Sequence, residues 1–252
     1  MYLKYMRPEE IKDAVIRKLP VMLPVGAVEY HGEHLPIGTD TLIAEGLCKK
    51  IEERAEVVVV PALPFSPTMH WAGGAASGDM DFSERALAVY AEEYILQLTA
   101  IGFQRIYALI GHQGKEGAPA LIMRRAGRIA TAKTAASLGD GWSRLKPEQW
   151  PVEDLFSIVR VCDYDEFSDY SGLGGRMPVG HGGRGETQLI MALYDGLVKM
   201  GALKGMENLP EWLADVYEAD KADGRFWVEF CVNGFVRHFG PYARVESQST
   251  SE

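Results

Sequence analysis

Residues 21–60, VMLPVGAVEYHGEHLPIGTDTLIAEGLCKKIEERAEVVVV, decide the fold. Val21-Met22-Leu23-Pro24-Val25-Gly26 is a short continuous apolar run, the composition of a strand buried on both faces. Asp40 stands where an N-cap belongs, and Thr41 to about Arg54 reads as the helix it opens. Val57 to Val60 is a second apolar run. Strand, loop, helix and strand in this order form the unit of a parallel sheet.

The pattern continues on both sides. Pro8-Glu9-Glu10 opens a helix to about Lys18, with its carboxylates in the first turn where the helix dipole favours them. Ser83 starts a helix that runs through Leu98 and that Gly102 closes. Arg105 to Ile110 and Ser157 to Cys162 read as two more strands. Gly117 to about Ala136 is a helix, and so is Glu186 to Met200, with Leu189, Ile190, Leu193 and Leu197 on one stripe. The expectation is a single α/β domain over 1–242, with a mostly parallel central sheet covered on both faces. Residues 137–156 read as an insertion or lid, whose Trp142 and Trp150 form either an aromatic gate or surface anchors. Residues 243–252 read as a flexible tail.

Composition narrows the function. The chain has 252 residues, with 26 Lys and Arg against 35 Asp and Glu, a net charge of −9. No long basic run offsets that balance, so a nucleic-acid partner is not expected. Three dispersed cysteines, Cys48, Cys162 and Cys231, make neither a disulfide framework nor a thiolate zinc site. No apolar stretch approaches bilayer-spanning length, and the amino-terminal stretch lacks the apolar core and cleavage site of a signal peptide. No membrane partner is expected, and the cytoplasm is the expected location.

Three loops carry the chemistry. Glu29-Tyr30-His31-Gly32-Glu33-His34-Leu35-Pro36-Ile37-Gly38-Thr39-Asp40 follows the first strand, at the sheet edge where open α/β folds bind ligands. Glu29 and His31, two apart, leave one face of an extended backbone, and Asp40 can turn towards them. Imidazole with carboxylate suits zinc, manganese or iron(II) better than calcium or magnesium. Gly111-His112-Gln113-Gly114 follows the third strand. His181-Gly182-Gly183-Arg184-Gly185-Glu186-Thr187 follows the fourth, after a glycine-rich loop. Parallel strands would bring all three to one crevice. The glycine-rich 172–185 loop matches neither a dinucleotide fingerprint nor a Walker A sequence, which sets aside a phosphate cradle.

These blocks resemble those of the creatininase (creatinine amidohydrolase) family. The first looks like its E-x-H-G-x-H-L-P-x-x-T-D signature. Gly111-His112-Gln113-Gly114 resembles a variant of N-G-H-G-G-N, and residues 181–187 resemble H-A-G-x-x-E-T. Together they cover roughly residues 8–200. The resemblance implies a three-layer α/β/α sandwich, two divalent metal ions per chain (Zn, Mn or Fe), a small polar substrate and a homohexamer. Carried over, Glu29 and His112 hold one metal and His31 the other, with Asp40 bridging. Gly114 stands where creatininase has a carboxylate, so Glu186 completes the second set. His181 resembles the catalytic histidine, and Glu186 is counted with it. The implied chemistry is a metal-activated hydroxide attacking a carbonyl, with His181 protonating the leaving nitrogen. His34 is expected to orient the loop, and Glu33 to be solvated.

Departures from the family pattern leave the substrate open. The segment Ser66-Pro67-Thr68-Met69-His70-Trp71-Ala72-Gly73-Gly74-Ala75-Ala76 lacks the family's F-P-G-T, although His70 and Trp71 remain candidates for substrate contact, as do Asp163 and Arg176. Ile110 and Lys115 replace the asparagines of N-G-H-G-G-N. The leading reading is a dinuclear hydrolase of a small cyclic amide or other C–N substrate. The alternatives are a C–C bond hydrolase acting on a cyclic diketone such as an inosose, and a metal-binding subunit without activity.

Overall fold

The computed structural model describes residues 1–244 except 151 and 207. The expected tail from 245 onward, and Pro151 of the expected insertion, lie outside the described residues. Four strands, β1 (Val21–Val25), β2 (Val58–Val59), β3 (Ile106–Ile110) and β4 (Val159–Cys162), form one sheet in the order β2-β1-β3-β4. Every neighbouring pair is parallel, with Val21 opposite Val58 and Ile106, and Ile106 opposite Val159. All four carboxyl ends therefore meet one edge.

Alternation along the strands separates two cores. Val21, Leu23 and Val25 of β1, with Ile106, Ala108 and Ile110 of β3, pack against α3 (Glu84–Ile101) and α4 (Ala118–Ser137). Met22, Tyr107 and Leu109 point the other way, onto α2 (Thr39–Arg54), α5 (Arg184–Leu193) and α6 (Lys221–Phe239). The short α1 (Pro8–Ile16) precedes the sheet and adds Ala14 to the first core. This is the three-layer sandwich. Ser83 Oγ accepts from the Ala86 amide, and Gly102 closes α3 at φ +115°.

Two expectations change in detail. α2 begins at Thr39 with Gly38 as its cap, so Asp40 lies inside the first turn and its carboxylate caps nothing. α5 ends at Leu193 instead of Met200: Tyr194 turns out of the helix, and its hydroxyl donates to the Leu42 carbonyl at 2.9 Å. Helix α6, unread in the sequence, fills the outer layer.

The described residues of this segment, 137–150 and 152–156, lie at the opposite edge from the strand carboxyl ends. Glu153 pairs with Arg105, just before β3, and with Lys18, just before β1. Trp142 and Trp150 meet edge to face at 5.6 Å, and Trp142 packs on a small cluster of Val152, Leu155 and Ile158. The tryptophans anchor this segment on itself, and neither lines the cavity at the carboxyl edge.

Candidate metal centre

The loops leaving β1 and β3, the first turn of α2 and the start of α5 converge at the carboxyl edge. Glu29, His31, Asp40 and His112 are buried there, and His181 and Glu186 are partly so. Backbone contacts fix the approach. A Cβ on Gly111 would land on the Asp40 carbonyl, so the turn after β3 meets α2 without a side chain. Gly182, at φ +62°, lies against the His31 carbonyl, where a Cβ would meet oxygen at 2.6 Å. Glycine alone satisfies both the left-handed backbone and the close approach.

Three imidazoles face inward in a defined tautomer. His31 donates from Nδ1 to the Glu29 carbonyl at 2.8 Å, His112 from Nε2 to that of Pro67 at 2.9 Å, and His181 from Nε2 to that of Tyr30 at 2.7 Å. Each inner nitrogen then faces carboxylate oxygen. His31 Nε2 is 2.9 Å from Asp40 Oδ1 and 3.6 Å from Glu186 Oε2. His112 Nδ1 is 2.9 Å from Asp40 Oδ2 and 3.3 Å from Glu29 Oε2. His181 Nδ1 is 3.7 Å from Glu29 Oε2. Ring lone pairs aimed at anions repel unless a proton or a metal cation lies between them. An outer ring nitrogen tied to a carbonyl is also the usual way a metal-binding histidine is oriented.

Burial and mutual proximity shift the titration of these groups. Burial pushes the Glu29 carboxyl up to about 7, against the pull of His112. Burial likewise raises Glu186 against the pull of His31. Burial works against a charged His31 ring, but Asp40 and Glu186 outweigh it and raise the ring to about 10. Burial opposes ionisation of Asp40 too, yet His31 and His112 hold its carboxyl below the usual range. Burial and the nearby His31 lower His181 to about 4. Glu29 Oε2, His31 Nε2 and Asp40 Oδ2 are buried without a hydrogen-bond partner. Orphaned polar atoms of this kind are costly, and divalent cations in the cluster would satisfy them. The donor set therefore fits a metal.

Three groups have ligand atoms within 4.8 Å of one another: Glu29, Asp40 and His112; His31, Asp40 and Glu186; and Glu29, His31 and His181. Gly114, at φ +61°, has open space where a Cβ would stand. The cavity above the cluster measures about 530 Å³, and Trp71 and Asp163 line it. Asp163 is also 3.7 Å from Lys115 Nζ. His70 and Arg176 do not line it. His70 turns its Nδ1 towards Asp79 Oδ2 at 3.5 Å, and the Arg176 guanidinium lies over the Tyr170 ring at 5.1 Å.

His34 is buried and donates from Nε2 to Thr187 Oγ1 at 2.8 Å, while Thr187 donates to the Gly182 carbonyl at 3.0 Å. It thus ties the first loop to the third. Tyr30 donates to Glu33 at 3.1 Å. Two residues that the sequence did not reveal complete the site. Asp79 accepts the Tyr30 amide at 2.6 Å. Trp212 stands edge to face with His181 at 4.9 Å. Neither carries a local motif.

A parallel α/β/α sandwich with this buried histidine–carboxylate cluster at its carboxyl edge defines an α/β protein with a candidate metal site. A sequence model of the creatininase family, described as creatinine amidohydrolase, matches residues 4–239. The chain belongs to the creatininase family of amidohydrolases. It is 24% identical over 241 residues to the creatinine amidohydrolase of Pseudomonas putida, covering 85% of this chain and 86% of that protein. A crystal structure of creatinine amidohydrolase superposes with a TM-score of 0.74 at 21% identity, over 95% of this chain and 96% of the other. A manganese form of creatininase gives 0.73 at 21% identity, over 95% and 99%. A mutant creatininase of Zn–Zn type gives 0.73 at 22% identity, over 95% and 98%. Among the described residues no helix is long and apolar enough to cross a membrane.

Proposed function

We propose that the chain is a dinuclear metal hydrolase acting on a C–N bond of a small polar substrate, a cyclic amide or a related compound. The observation that carries this reading is Asp40. Its two oxygens each face a different histidine at 2.9 Å, so one carboxylate belongs to both buried ligand groups. Glu29, Asp40 and His112 would hold one cation, and His31, Asp40 and Glu186 the other. The manganese and zinc forms of the structural relatives support those metals, and the donor set equally suits iron(II).

Such cations supply a water of lowered pKa and polarise a carbonyl. The protein does the rest. Glu29 and Glu186 are held ready to ionise beside positive charge. His181 rests neutral, with Nε2–H fixed on the Tyr30 carbonyl and Nδ1 open beside Glu29. It takes a proton at Nδ1 and returns it to the leaving nitrogen. That all five ligand positions are present argues against an inactive subunit, and no residue of the site favours C–C cleavage over C–N.

The three free, buried cysteines support a reducing compartment, the cytoplasm. Val89 and Tyr90, exposed on α3, support assembly with further copies of the chain, a hexamer by family resemblance. Elemental analysis of purified protein should give about two divalent ions per chain, and Asp40→Ala should lose both metals and hydrolysis. Metal-free protein that still turns over a cyclic amide would overturn the reading. Turnover of an inosose diketone alone would move it to C–C chemistry.

A further inference from the structure

The cavity has two chemically different ends. Its floor is the charged cluster. Its rim carries Met69, Trp71 and Val179, which are 69%, 60% and 83% exposed. Single apolar side chains on a surface need no explanation, but three bordering one cavity do. The loop bearing two of them is held in shape: Met69 and His70 both take left-handed backbone, at φ 58° and 49°. Asp81 accepts from the amides of Thr68 and Met69 at 2.7 and 3.0 Å. Non-glycine residues in this region cost energy and persist where the surroundings enforce them.

Trp71 also has a defined place relative to the chemistry. Its ring meets His181 edge to face at 5.3 Å and lies 6.2 Å from Trp212. The apolar wall therefore adjoins the group assigned to protonate the leaving nitrogen. Size points the same way. A cavity of about 530 Å³ falls within the range of pockets that take ligands larger than a bare five-membered lactam.

We infer that the substrate is a cyclic amide or imide whose leaving nitrogen carries an apolar or aryl arm, seated against Trp71, Met69 and Val179. This rests on the hydrolase reading above. Hydrolysis breaks the C–N bond and places the oxygen of water on the acyl carbon. One proton of water passes through His181 to the nitrogen, which keeps its arm. The acyl side ends as a carboxylate, and the other proton is released.

A matched pair, N-methylsuccinimide and N-benzylsuccinimide, tests the inference with metal-loaded wild type, Trp71→Ala and Val179→Ser. In wild type kcat/KM should favour the benzyl compound by roughly ten- to a hundred-fold, the range for burying one aromatic arm. Trp71→Ala should reduce that preference to within about threefold, and Val179→Ser should reduce it less. Equal kcat/KM in wild type, or a preference that neither substitution changes, overturns the inference. Should neither compound be hydrolysed, the hydrolase reading is what fails. The rim is then judged by calorimetric binding of the same pair to the same three proteins, where equal affinities overturn it and tighter benzyl binding lost in Trp71→Ala sustains it. Sedimentation of Trp71→Ala identifies a rim that covers a partner copy: a changed oligomer with the benzyl preference intact counts against a substrate role.

Discussion

His181 donates from Nε2 to the carbonyl of Tyr30, and that residue's own amide donates to Asp79. One residue between Glu29 and His31 is thereby held from both sides. The side chain of Asp79 is fully buried, so losing it would strand the Tyr30 N–H without a partner. Asp79→Ala should cost about 1–3 kcal/mol of stability and about 10–100-fold in zinc affinity, because the two flanking ligands lose their support. Asp79→Asn keeps an acceptor at Oδ1 and should recover most of both. Denaturant midpoints and zinc titration against a competing chelator read the two effects. An Asn variant as impaired as the Ala variant would show that charge matters here, not the hydrogen bond.

His181 faces Glu29 and also falls within one of the candidate ligand groups, so its role needs separating from that of a ligand. Its neutral ring, its place at the cavity and its edge contacts with Trp71 and Trp212 favour proton transfer. His181→Gln should keep about two metals per chain while kcat falls by about 10²–10⁴. Metal analysis of the purified variant decides the point: loss of one equivalent would make His181 a ligand.

The sandwich and most of the cluster were legible because both are local in sequence. β1 and β3 were continuous apolar runs, and each ligand lay either in a loop leaving a strand's carboxyl end or in the first turn of the helix that the loop leads into, so parallel strands carried Glu29, His31, Asp40, His112 and Glu186 to one edge. What escaped depends on tertiary approach. Asp79 meets Tyr30 across 49 residues, with no spacing rule to announce it. Helix α6 contains Gly224 and Gly234, which weaken any helical reading; Gly224 is needed because a Cβ there would collide with the Gln188 carbonyl on α5. The apolar stripe of α5 runs on to Leu197, but the Tyr194 bond to Leu42 ends the helix first. His70 and Arg176 were placed by proximity to the right loops. Asp79 and Tyr170 draw them away.

The two proposed ligand groups share Asp40 but differ in their other carboxylate, which lets each metal be removed separately. Glu186→Gln should lower the content to about one ion per chain, while Asp40→Asn removes both. Chelation of wild type should lower Tm, because cations that bind only the folded state stabilise it by mass action. Glu186→Gln should show a smaller drop on chelation, and Asp40→Asn none. Inductively coupled plasma analysis with parallel melting curves measures all three.

His34 gives the pH dependence. Its ring is buried, and burial lowers it to about 4, against an ordinary value of 6.5 in the unfolded chain. Between those values the unfolded state binds more protons than the folded one, so stability falls as pH drops through 6.5 and goes on falling to about 4. Replacing the ring with an amide removes this proton uptake and leaves a side chain able to donate to Thr187. The difference in urea midpoint between wild type and His34→Gln, both freed of metal, should therefore shift in favour of the variant as pH is lowered from 7 to 4.5. The contributions of the remaining groups are common to both proteins and cancel to first order. Parallel curves over that range would mean that His34 is protonated as readily in the folded chain as in the unfolded one.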